Sequence, residues 1–169
     1  DADGNSLVSA SGHAYSWDAR NRLTEIVTAD GIRIQNTYDA EGRRTRVKKT
    51  SKDGSPISDV LYLYDRWNVI AKFEYDIHSS QLTPHSSMLW GLDLSGSPQG
   101  AGGVGGLLAT TVANGASYAP TYDANGNAAQ YLDGEGAIAV GFEYDPFGGT
   151  SVSTGDGTLS DELEYQFST

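Results

Sequence analysis

The chain has 169 residues, a formal net charge of -11 at pH 7 and no cysteine, so it has no disulfide and no thiol nucleophile. Only 38% of the residues are hydrophobic, whereas 21 are glycine and ten are tyrosine. This composition is typical of short strands joined by tight turns and argues against a helical bundle. All eleven Lys and Arg lie in residues 1–72, and residues 73–169 hold twelve acidic residues. This balance disfavours nucleic acid and anionic membranes as partners, since both require positive charge.

The start of the chain is typical of the middle of a turn, since it runs Asp1-Ala2-Asp3-Gly4-Asn5. No basic and then apolar signal segment opens the sequence. No run of about 18 apolar residues is present, so no membrane-spanning helix is predicted. We therefore expect this chain to be part of a longer polypeptide.

One unit recurs along the chain: an aromatic residue, an Asp, a small polar or glycine-containing turn and a strand-like run. The aromatic–Asp pairs are, in chain order, Trp17-Asp18, Tyr38-Asp39, Tyr64-Asp65, Tyr75-Asp76, Tyr122-Asp123 and Tyr144-Asp145. Several pairs lie about twenty residues apart, which is enough for two short strands and two turns. The spacings of 26 residues between Tyr38 and Tyr64 and of 11 between Tyr64 and Tyr75 depart from this period.

The chemistry of this unit predicts β-hairpins. The Asp carboxylate can accept a hydrogen bond from the backbone N–H two residues later, and the following Gly can adopt positive φ. The aromatic residue ends a strand and can pack across to its neighbour. The twelve residues of the six pairs are therefore predicted to be structural and not catalytic.

The segments between the pairs alternate as half-buried strands do. In the first segment, one face is predicted to hold Arg44, Arg46 and Lys48, and the other Thr45 and Val47. In the second, one face holds Ile70, Lys72 and Glu74, and the other Val69, Ala71, Phe73 and Tyr75. In the third, one face holds Ala137, Ala139 and Gly141, and the other Ile138, Val140 and Phe142. Helical periodicity of useful length is absent. We predict a strand over 107–112, a turn-rich loop over 95–103 and a mobile polar loop over 150–162. The fold class predicted is all-β, with antiparallel hairpin repeats in a curved or spiralling sheet.

Candidate chemistry is sparse. His13, His78 and His85 have no partner at metal-ligand spacing, so polar turn residues are the favoured interpretation. The segments at 1–5 and 123–127 begin like calcium loops but lack the Gly at position six and the Glu at position twelve. Hairpin turns are favoured there, and weak calcium binding to the acidic half stays open.

Enzyme signatures are also missing from the sequence. It contains no G-x-S-x-G elbow, nothing places carboxylates such as Asp161 and Glu162 across a cleft, and the glycine-rich stretch 100–106 lacks the Lys-Ser/Thr of a phosphate loop. We therefore predict no catalytic, cofactor-binding or metal-binding residues and no enzymatic activity.

A basic segment holds six of the eleven cations, namely Arg43, Arg44, Arg46, Lys48, Lys49 and Lys52. No aromatic residue lies between Tyr38 and Tyr62, which argues against nucleic-acid binding. Two interpretations stay open: a charged strand that faces solvent, or a strand that pairs with the acidic C-terminal half of this or another copy.

The ordered series of Tyr-Asp units resembles the Rhs/YD-repeat family, the bacterial rearrangement-hotspot proteins. Two further segments carry the resemblance. Residues 90–97 running into 102–108 are similar to the segment before the family's core domain. Residues 142–148 are similar to the Y-D-P-F-G that begins the core-associated region, and residues 163–169 are similar to the stretch that follows it.

The resemblance implies a β-sheet ribbon that spirals into a hollow shell, which in toxin members encloses a C-terminal toxic domain. It divides the chain into a YD-repeat segment over 1–86, a glycine-rich loop with further repeat strands over 87–145, and the start of the core-associated region over 146–169. Self-cleavage would depend on residues beyond 169.

The same resemblance implies a secreted or cell-surface bacterial protein. Its partners would be the remainder of its own polypeptide, further copies of itself and an enclosed effector domain. Two alternatives are an extracellular adhesion surface, on which tyrosines stack against carbohydrate, and a filament in which open strand edges join chain to chain.

Overall fold

The computed structural model describes residues 1–77, 79–145, 147–155 and 157–166. In this part of the chain, twelve strands are hydrogen-bonded in the order in which they occur in the sequence. They are β1 (Ala14–Trp17), β2 (Leu23–Val27), β3 (Arg33–Tyr38), β4 (Arg44–Thr50), β5 (Pro56–Asp65), β6 (Asn68–Asp76), β7 (Gln81–Trp90), β8 (Leu107–Val112), β9 (Ser117–Tyr122), β10 (Ala128–Leu132), β11 (Ile138–Tyr144) and β12 (Thr150–Gly155), followed by helix α1 (Gly157–Glu162). The predicted all-β class is confirmed.

Two predictions for irregular segments have opposite outcomes. The strand predicted over 107–112 is β8. The mobile loop predicted over 150–162 is wrong, since this segment forms β12 and α1. The polar sequence of this segment gives no clear strand or helix pattern. β12 forms by antiparallel pairing with β11, and the helix buries a single apolar side chain, Leu159.

The chain divides into two compact units, each described by itself. Unit 1 comprises Asp1–Leu63 and Lys72–Pro84. Unit 2 comprises Tyr64–Ala71 and His85–Thr169.

Unit 1 has a more buried and a more exposed sheet face. In β3, Ile34, Asn36 and Tyr38 are half-buried, whereas the residues between them are exposed. Among the described residues of unit 1, Val47 is the only apolar side chain that is buried. The alternation of the strands therefore produces a sheet face without producing a closed core.

The strand register shows which residues share each face of unit 1. One row of direct cross-strand neighbours is Tyr15, Ile26, Ile34 and Lys49, and a row on the opposite face is Glu25, Gln35, Lys48 and Asp59. A row of neighbours on one face is the unit of sheet stabilisation. The first row is mainly apolar, and the second is polar throughout.

The structure adds three details to the predicted alternation. Arg46 shares a face with Lys48, as predicted, and forms an ion pair with the carboxylate of the buried Asp59 on the neighbouring strand β5. Lys72, predicted on a polar face, is only 2% exposed, and its ammonium lies 5.6 Å from the centre of the Tyr62 ring. Ile138, predicted on the same face as Val140 and Phe142, is the first residue of β11 and is 58% exposed, whereas Val140 and Phe142 are buried.

Unit 2 contains a hydrophobic core. Its buried members are Met88, Leu107, Val112, Ala128, Tyr131, Val140, Phe142, Leu159 and Leu163. The last two belong to residues 157–166, called the strap below, which are helix α1 and the four residues after it. The apolar side chains of the strap pack against the side chains of the strands in this core.

Hydrogen bonds to main-chain carbonyls of the strap hold it on the sheet of unit 2. The N–H of Ala128 donates to the carbonyl of Gln166 at 2.7 Å, and the hydroxyl of Tyr131 donates to the carbonyl of Tyr165 at 2.6 Å. The Tyr165 ring meets Trp90 edge to face at 5.2 Å. The strap thus covers one face of this sheet with both apolar and polar contacts.

Replacing Thr110 by Val is expected to raise the free energy of unfolding by about 1 kcal/mol. Thr110 is 2% exposed, and its hydroxyl has no hydrogen-bond partner among the described residues. A buried hydroxyl without a partner loses its hydration without compensation. Urea unfolding measures the effect, with Thr111→Val as the control, because the Thr111 hydroxyl lies 2.8 Å from that of Ser117. A loss of stability in the Thr110 variant would contradict the expectation.

Candidate functional site

A five-residue turn is the most repeated feature of the molecule. The first residue's N–H donates to the fifth residue's carbonyl, the fourth residue's N–H donates to the first residue's carbonyl, and the fourth residue has positive φ. In the described chain, eleven such turns begin at Asp1, Ser9, Asp18, Thr28, Asp39, Ser51, Asp93, Val112, Asp123, Asp133 and Asp145. A left-handed fourth residue is characteristic of three-residue hairpin loops and favours Gly.

The Asp at the first position closes the turn with its own carboxylate. Asp18 Oδ1 accepts from the N–H groups of Arg20 at 2.8 Å and of Arg22 at 3.0 Å. The same two bonds, to the third and fifth residues, occur in the turns that begin at Asp39, Asp123, Asp133 and Asp145. The sequence indicated the first of these bonds, and the second is an addition from the structure.

The fifth residue of the turn holds the other carboxylate oxygen. Arg22 Nε donates to Asp18 Oδ2 at 2.7 Å, and Arg22 Nη1 donates to the carbonyl of Asp39 in a later turn at 3.0 Å. Arg43 and Asn127 bind Asp39 and Asp123 in the same way, each at 2.7 Å. Side chains at the fifth position therefore stabilise their own turn, and Arg22 also connects two turns of unit 1.

Acidification is expected to destabilise unit 1 through Asp18. Hydrogen bonds from the Arg22 side chain, then from backbone N–H groups, lower the Asp18 pKa from 3.8 to about 2. Because the pKa is lowered in the fold, the stabilisation is full above pH 3.8 and is lost as the pH falls through about 2.

The measurement is urea unfolding from pH 5 to pH 2 for the wild type and for Asp18→Asn, with Asp161→Asn as the control. The Asp18 variant should be less stable at pH 5, and the difference from the wild type should shrink towards pH 2. A difference that stays constant across this range would contradict the expectation.

The aromatic residue of the unit is fixed at its polar tip. Tyr38 donates its hydroxyl to the carbonyl of Leu23 at 2.8 Å, and Tyr122 donates to that of Leu107 at 2.6 Å. Both acceptors lie 15 residues earlier in the chain. Tyr144 donates to a carbonyl 16 residues earlier, and the Trp17 Nε1–H donates to one 11 residues earlier. Each of these four aromatic residues therefore connects its strand to a preceding segment.

Burial of these tyrosines disfavours the charged phenolate form. It raises the pKa of Tyr122 and of Tyr144 to about 12. A phenol that stays protonated at neutral pH and donates to a main-chain carbonyl acts as a fixed hydrogen-bond donor. This is a structural use of the side chain.

The pairs Tyr64-Asp65 and Tyr75-Asp76 end strands but precede other kinds of turn. After Asp65, a two-residue connection contains Arg66 at φ 54°. Asp76 Oδ2 accepts from the Ser79 hydroxyl at 2.7 Å. These two pairs, whose spacings of 26 and 11 residues depart from the common period, thus also differ from the other pairs in turn geometry.

A buried carboxylate organises the glycine-rich loop between β7 and β8. Asp93 is 5% exposed, and its Oδ2 accepts from the N–H groups of Ala101 at 2.6 Å and Gly103 at 3.2 Å. The hydroxyl of Ser95 donates to Oδ1 at 2.6 Å and is the main cause that lowers the Asp93 pKa to about 2. Sequence reasoning missed Asp93 because no aromatic precedes it.

The Asp123 turn packs against this loop. A Cβ on Gly126 would lie 2.5 Å from Val104 Cγ1, and Gly126 has φ +83°. The glycine is thus required both by the turn and by the close approach of the loop. The predicted turn-rich loop is an ordered part of unit 2.

Concave surfaces lie on both units in addition to the turns. In unit 1, a cavity of about 280 Å³ is lined by Lys48, Asp59, Glu74 and Tyr75 among others. In unit 2, a cavity of about 190 Å³ is lined by Trp90, Tyr122, Tyr165 and the glycine-rich loop. Across the described ranges, no group of three or more His, Asp or Glu side chains could hold a metal ion.

The remaining candidate residues have ordinary surroundings. His13 is the fifth residue of the Ser9 turn, His85 lies in β7, and His78 is outside the described residues. The carboxylates of Asp1 and Asp123 accept from donors in their own turns. No helix in the part of the chain that the structure describes is long and apolar enough to cross a membrane.

The fold and the repeated aromatic–Asp turn define a repeat protein built of successive β-hairpins. Residues 17–56 match the family model described as RHS Repeat. The resemblance to the Rhs/YD-repeat proteins is thereby confirmed. No curated protein sequence matches the chain.

Solved structures share this fold. A Photorhabdus luminescens Tc holotoxin pore with a substitution in TccC3 matches with a TM-score of 0.74, 18% identity and 99% coverage of this chain. The crystal structures of TcdB2-TccC3-TEV and of TcdB2-TccC3 without its hypervariable C-terminal region match with TM-scores of 0.68 and 0.62, identities of 19% and 16%, and coverages of 99% and 96%. This chain spans 8% of each of those chains.

Proposed function

We propose that the chain is a structural, non-enzymatic wall segment of a YD-repeat shell, which encloses or presents a C-terminal effector. The observation that carries this proposal is the connection of successive hairpins through the repeated turn. Arg22 locks its own turn and binds the Asp39 turn, while Tyr38 binds a main-chain carbonyl 15 residues earlier. A sheet connected in this way extends one hairpin at a time, as a wall requires.

The use of the polar side chains supports a structural role. The carboxylates of the Asp turns accept backbone N–H groups, and the hydroxyls of Tyr122 and Tyr144 donate to main-chain carbonyls. General acid–base catalysis needs such groups to face a substrate. Here their hydrogen bonds are directed into the fold.

The RHS Repeat match and the likeness to Tc toxin structures support the wider proposal. We propose that the rest of its own polypeptide continues the sheet, that the protein is bacterial and secreted or at the cell surface, and that residues 1–86, 87–145 and 146–169 correspond to the three regions predicted above. The effector would be the segment that the completed sheet surrounds.

Limited proteolysis of the polypeptide that contains this chain tests the enclosure. The region C-terminal to the shell is expected to resist a protease at concentrations that digest the same region expressed alone. A second form carries Asp18→Ala and Asp39→Ala, which remove the turn carboxylates, and Asp161→Ala is the matched control. Cleavage should be about tenfold faster in the double variant only, because transient opening of the wall exposes the enclosed segment.

Rapid cleavage of the C-terminal region in the intact polypeptide would contradict enclosure. Electron microscopy of the same sample separates the alternatives, because enclosure predicts closed hollow particles and a filament predicts fibres. An adhesion surface predicts binding to immobilised glycans, which the enclosure proposal does not require.

A further inference from the structure

Unit 1 has an apolar sheet face. Among the described residues of unit 1, no second layer buries this face. We call it the aromatic face, and its members are Tyr15, Trp17, Leu23, Ile26, Ile34, Tyr38, Val47, Val60 and Tyr62, which the strand register places on one side of the sheet. All of them except Val47 are only half-buried. A contiguous apolar surface of this kind commonly marks an interaction site.

Unit 2 shows what covers the equivalent face. The bond from Tyr122 to the carbonyl of Leu107 repeats the bond from Tyr38 to the carbonyl of Leu23, with the same spacing of 15 residues. Leu107 is 3% exposed in the core that the strap completes, whereas Leu23 is only half-buried. The covering element in unit 2 is a short polypeptide segment of the same chain.

The chemistry of the strap complements the aromatic face of unit 1. The strap places Leu159, Leu163 and Tyr165 against the core of unit 2, and its other residues include Asp161, Glu162 and Glu164. It is therefore both apolar and acidic. It contains no Lys or Arg.

The aromatic face of unit 1 carries cations. The Arg22 guanidinium lies 5.0 Å from the centre of the Tyr38 ring, and that of Arg44 lies 5.8 Å from the centre of the Tyr62 ring. Lys49 is exposed and is the direct cross-strand neighbour of Ile34 on this face. An acidic apolar segment would bury its apolar side chains on the rings and place a carboxylate near the exposed ammonium of Lys49. The Arg22 guanidinium is already paired with Asp18 and serves this surface only as part of its rim.

We infer that the aromatic face of unit 1 binds an acidic polypeptide segment that carries spaced leucine and tyrosine side chains, as the strap does on unit 2. This inference goes beyond the wall function and does not depend on enclosure. Burial of apolar surface supplies the affinity, and Lys49 supplies the selectivity for acidic sequences.

The strap sequence is the probe for this inference. A fluorescein-labelled peptide of residues 157–166 is titrated with the whole chain, and binding is followed by anisotropy. The decisive variants are Lys49→Glu, on the aromatic face, and Lys48→Glu, the neighbouring residue on the opposite face. Circular dichroism confirms that both variants keep the β-sheet.

Lys49→Glu is expected to weaken peptide binding about fivefold, because one exposed ion pair becomes a repulsion. Lys48→Glu should change it less than about twofold, since this residue is on the other face. A peptide with Lys at 161, 162 and 164, and a peptide with Ser at 159 and 163, should both lose binding. Salt should weaken binding of the native peptide by screening.

Equal effects of Lys48→Glu and Lys49→Glu would overturn the inference, as would equal binding of the charge-reversed peptide. A peptide that binds independently of Lys49 would show exchange with the strap of unit 2 and would also overturn it. A single-stranded oligonucleotide that competes as effectively as the unlabelled peptide would show that the face selects for negative charge alone. That result would also overturn the inference.

Discussion

Replacing Leu163 by Ala is expected to lower the free energy of unfolding of unit 2 by about 2–5 kcal/mol. Leu163 is 0% exposed and belongs to the core beneath the strap. The truncation removes apolar contacts and leaves a cavity that the surrounding strands can fill only in part. The strap is a short segment with a helix of only six residues, so little else compensates for the loss.

Urea unfolding monitored by tryptophan fluorescence measures this change, because Trp90 contacts Tyr165 of the strap. The matched control is Asp161→Ala, which alters an exposed residue of the same strap and should change stability by less than about 0.5 kcal/mol. Equal effects of the two substitutions would show that the strap is not anchored through its apolar side chains.

The repeated turn was largely predictable from the sequence because its chemistry is local. In Asp39-Ala-Glu-Gly-Arg43, the carboxylate, its backbone donors and the left-handed Gly42 all lie within five residues. Rules of turn chemistry act on this scale. The turns that begin at Ser51 and Val112 share the geometry without an Asp at the first position, so the aromatic–Asp pattern could not identify them.

The contacts between hairpins were not predictable in the same way. The carbonyl that accepts from Tyr122 belongs to Leu107, and the carboxylate that accepts from Arg46 belongs to Asp59 on the next strand. A backbone carbonyl has no sequence signature, and a cross-strand ion pair depends on register. The basic segment therefore indicated a solvent face or a distant acidic partner, whereas the structure gives Arg46 a partner on a neighbouring strand.

The strap was the largest element missed. Its apolar residues Leu159, Leu163 and Tyr165 are separated by acidic and polar residues, and the helix is only six residues long. Six residues are too few for a helical periodicity to be detected against a polar background. Its order comes from tertiary contacts with Trp90 and Tyr131, which lie far away in the sequence.

Replacing Gly155 by Ala is expected to destabilise unit 2 by about 3 kcal/mol, because Ala disfavours the backbone conformation at this position and its Cβ would collide with the neighbouring strand. Gly155 has φ +101°, a conformation that L side chains rarely adopt. A Cβ there would lie 2.1 Å from the carbonyl oxygen of Ala139 and 3.1 Å from Val140 Cα. These are main-chain atoms of β11, so no side-chain rotation can relieve the contact, and β12 must move away from its partner.

Loss of this pairing also affects the strap, because the strap begins two residues after Gly155. The Gly155 variant should therefore become more susceptible to protease at the strap as well as lose stability towards urea. Gly157→Ala is the matched control: Gly157 does not have positive φ, and a Cβ there would have no atom of the described residues within 4 Å. That control should stay within about 0.5 kcal/mol of the wild type. Equal stability of the two variants would contradict the close approach of β12 to β11 at this point, and with it the placement of the strap by the last strand of the sheet.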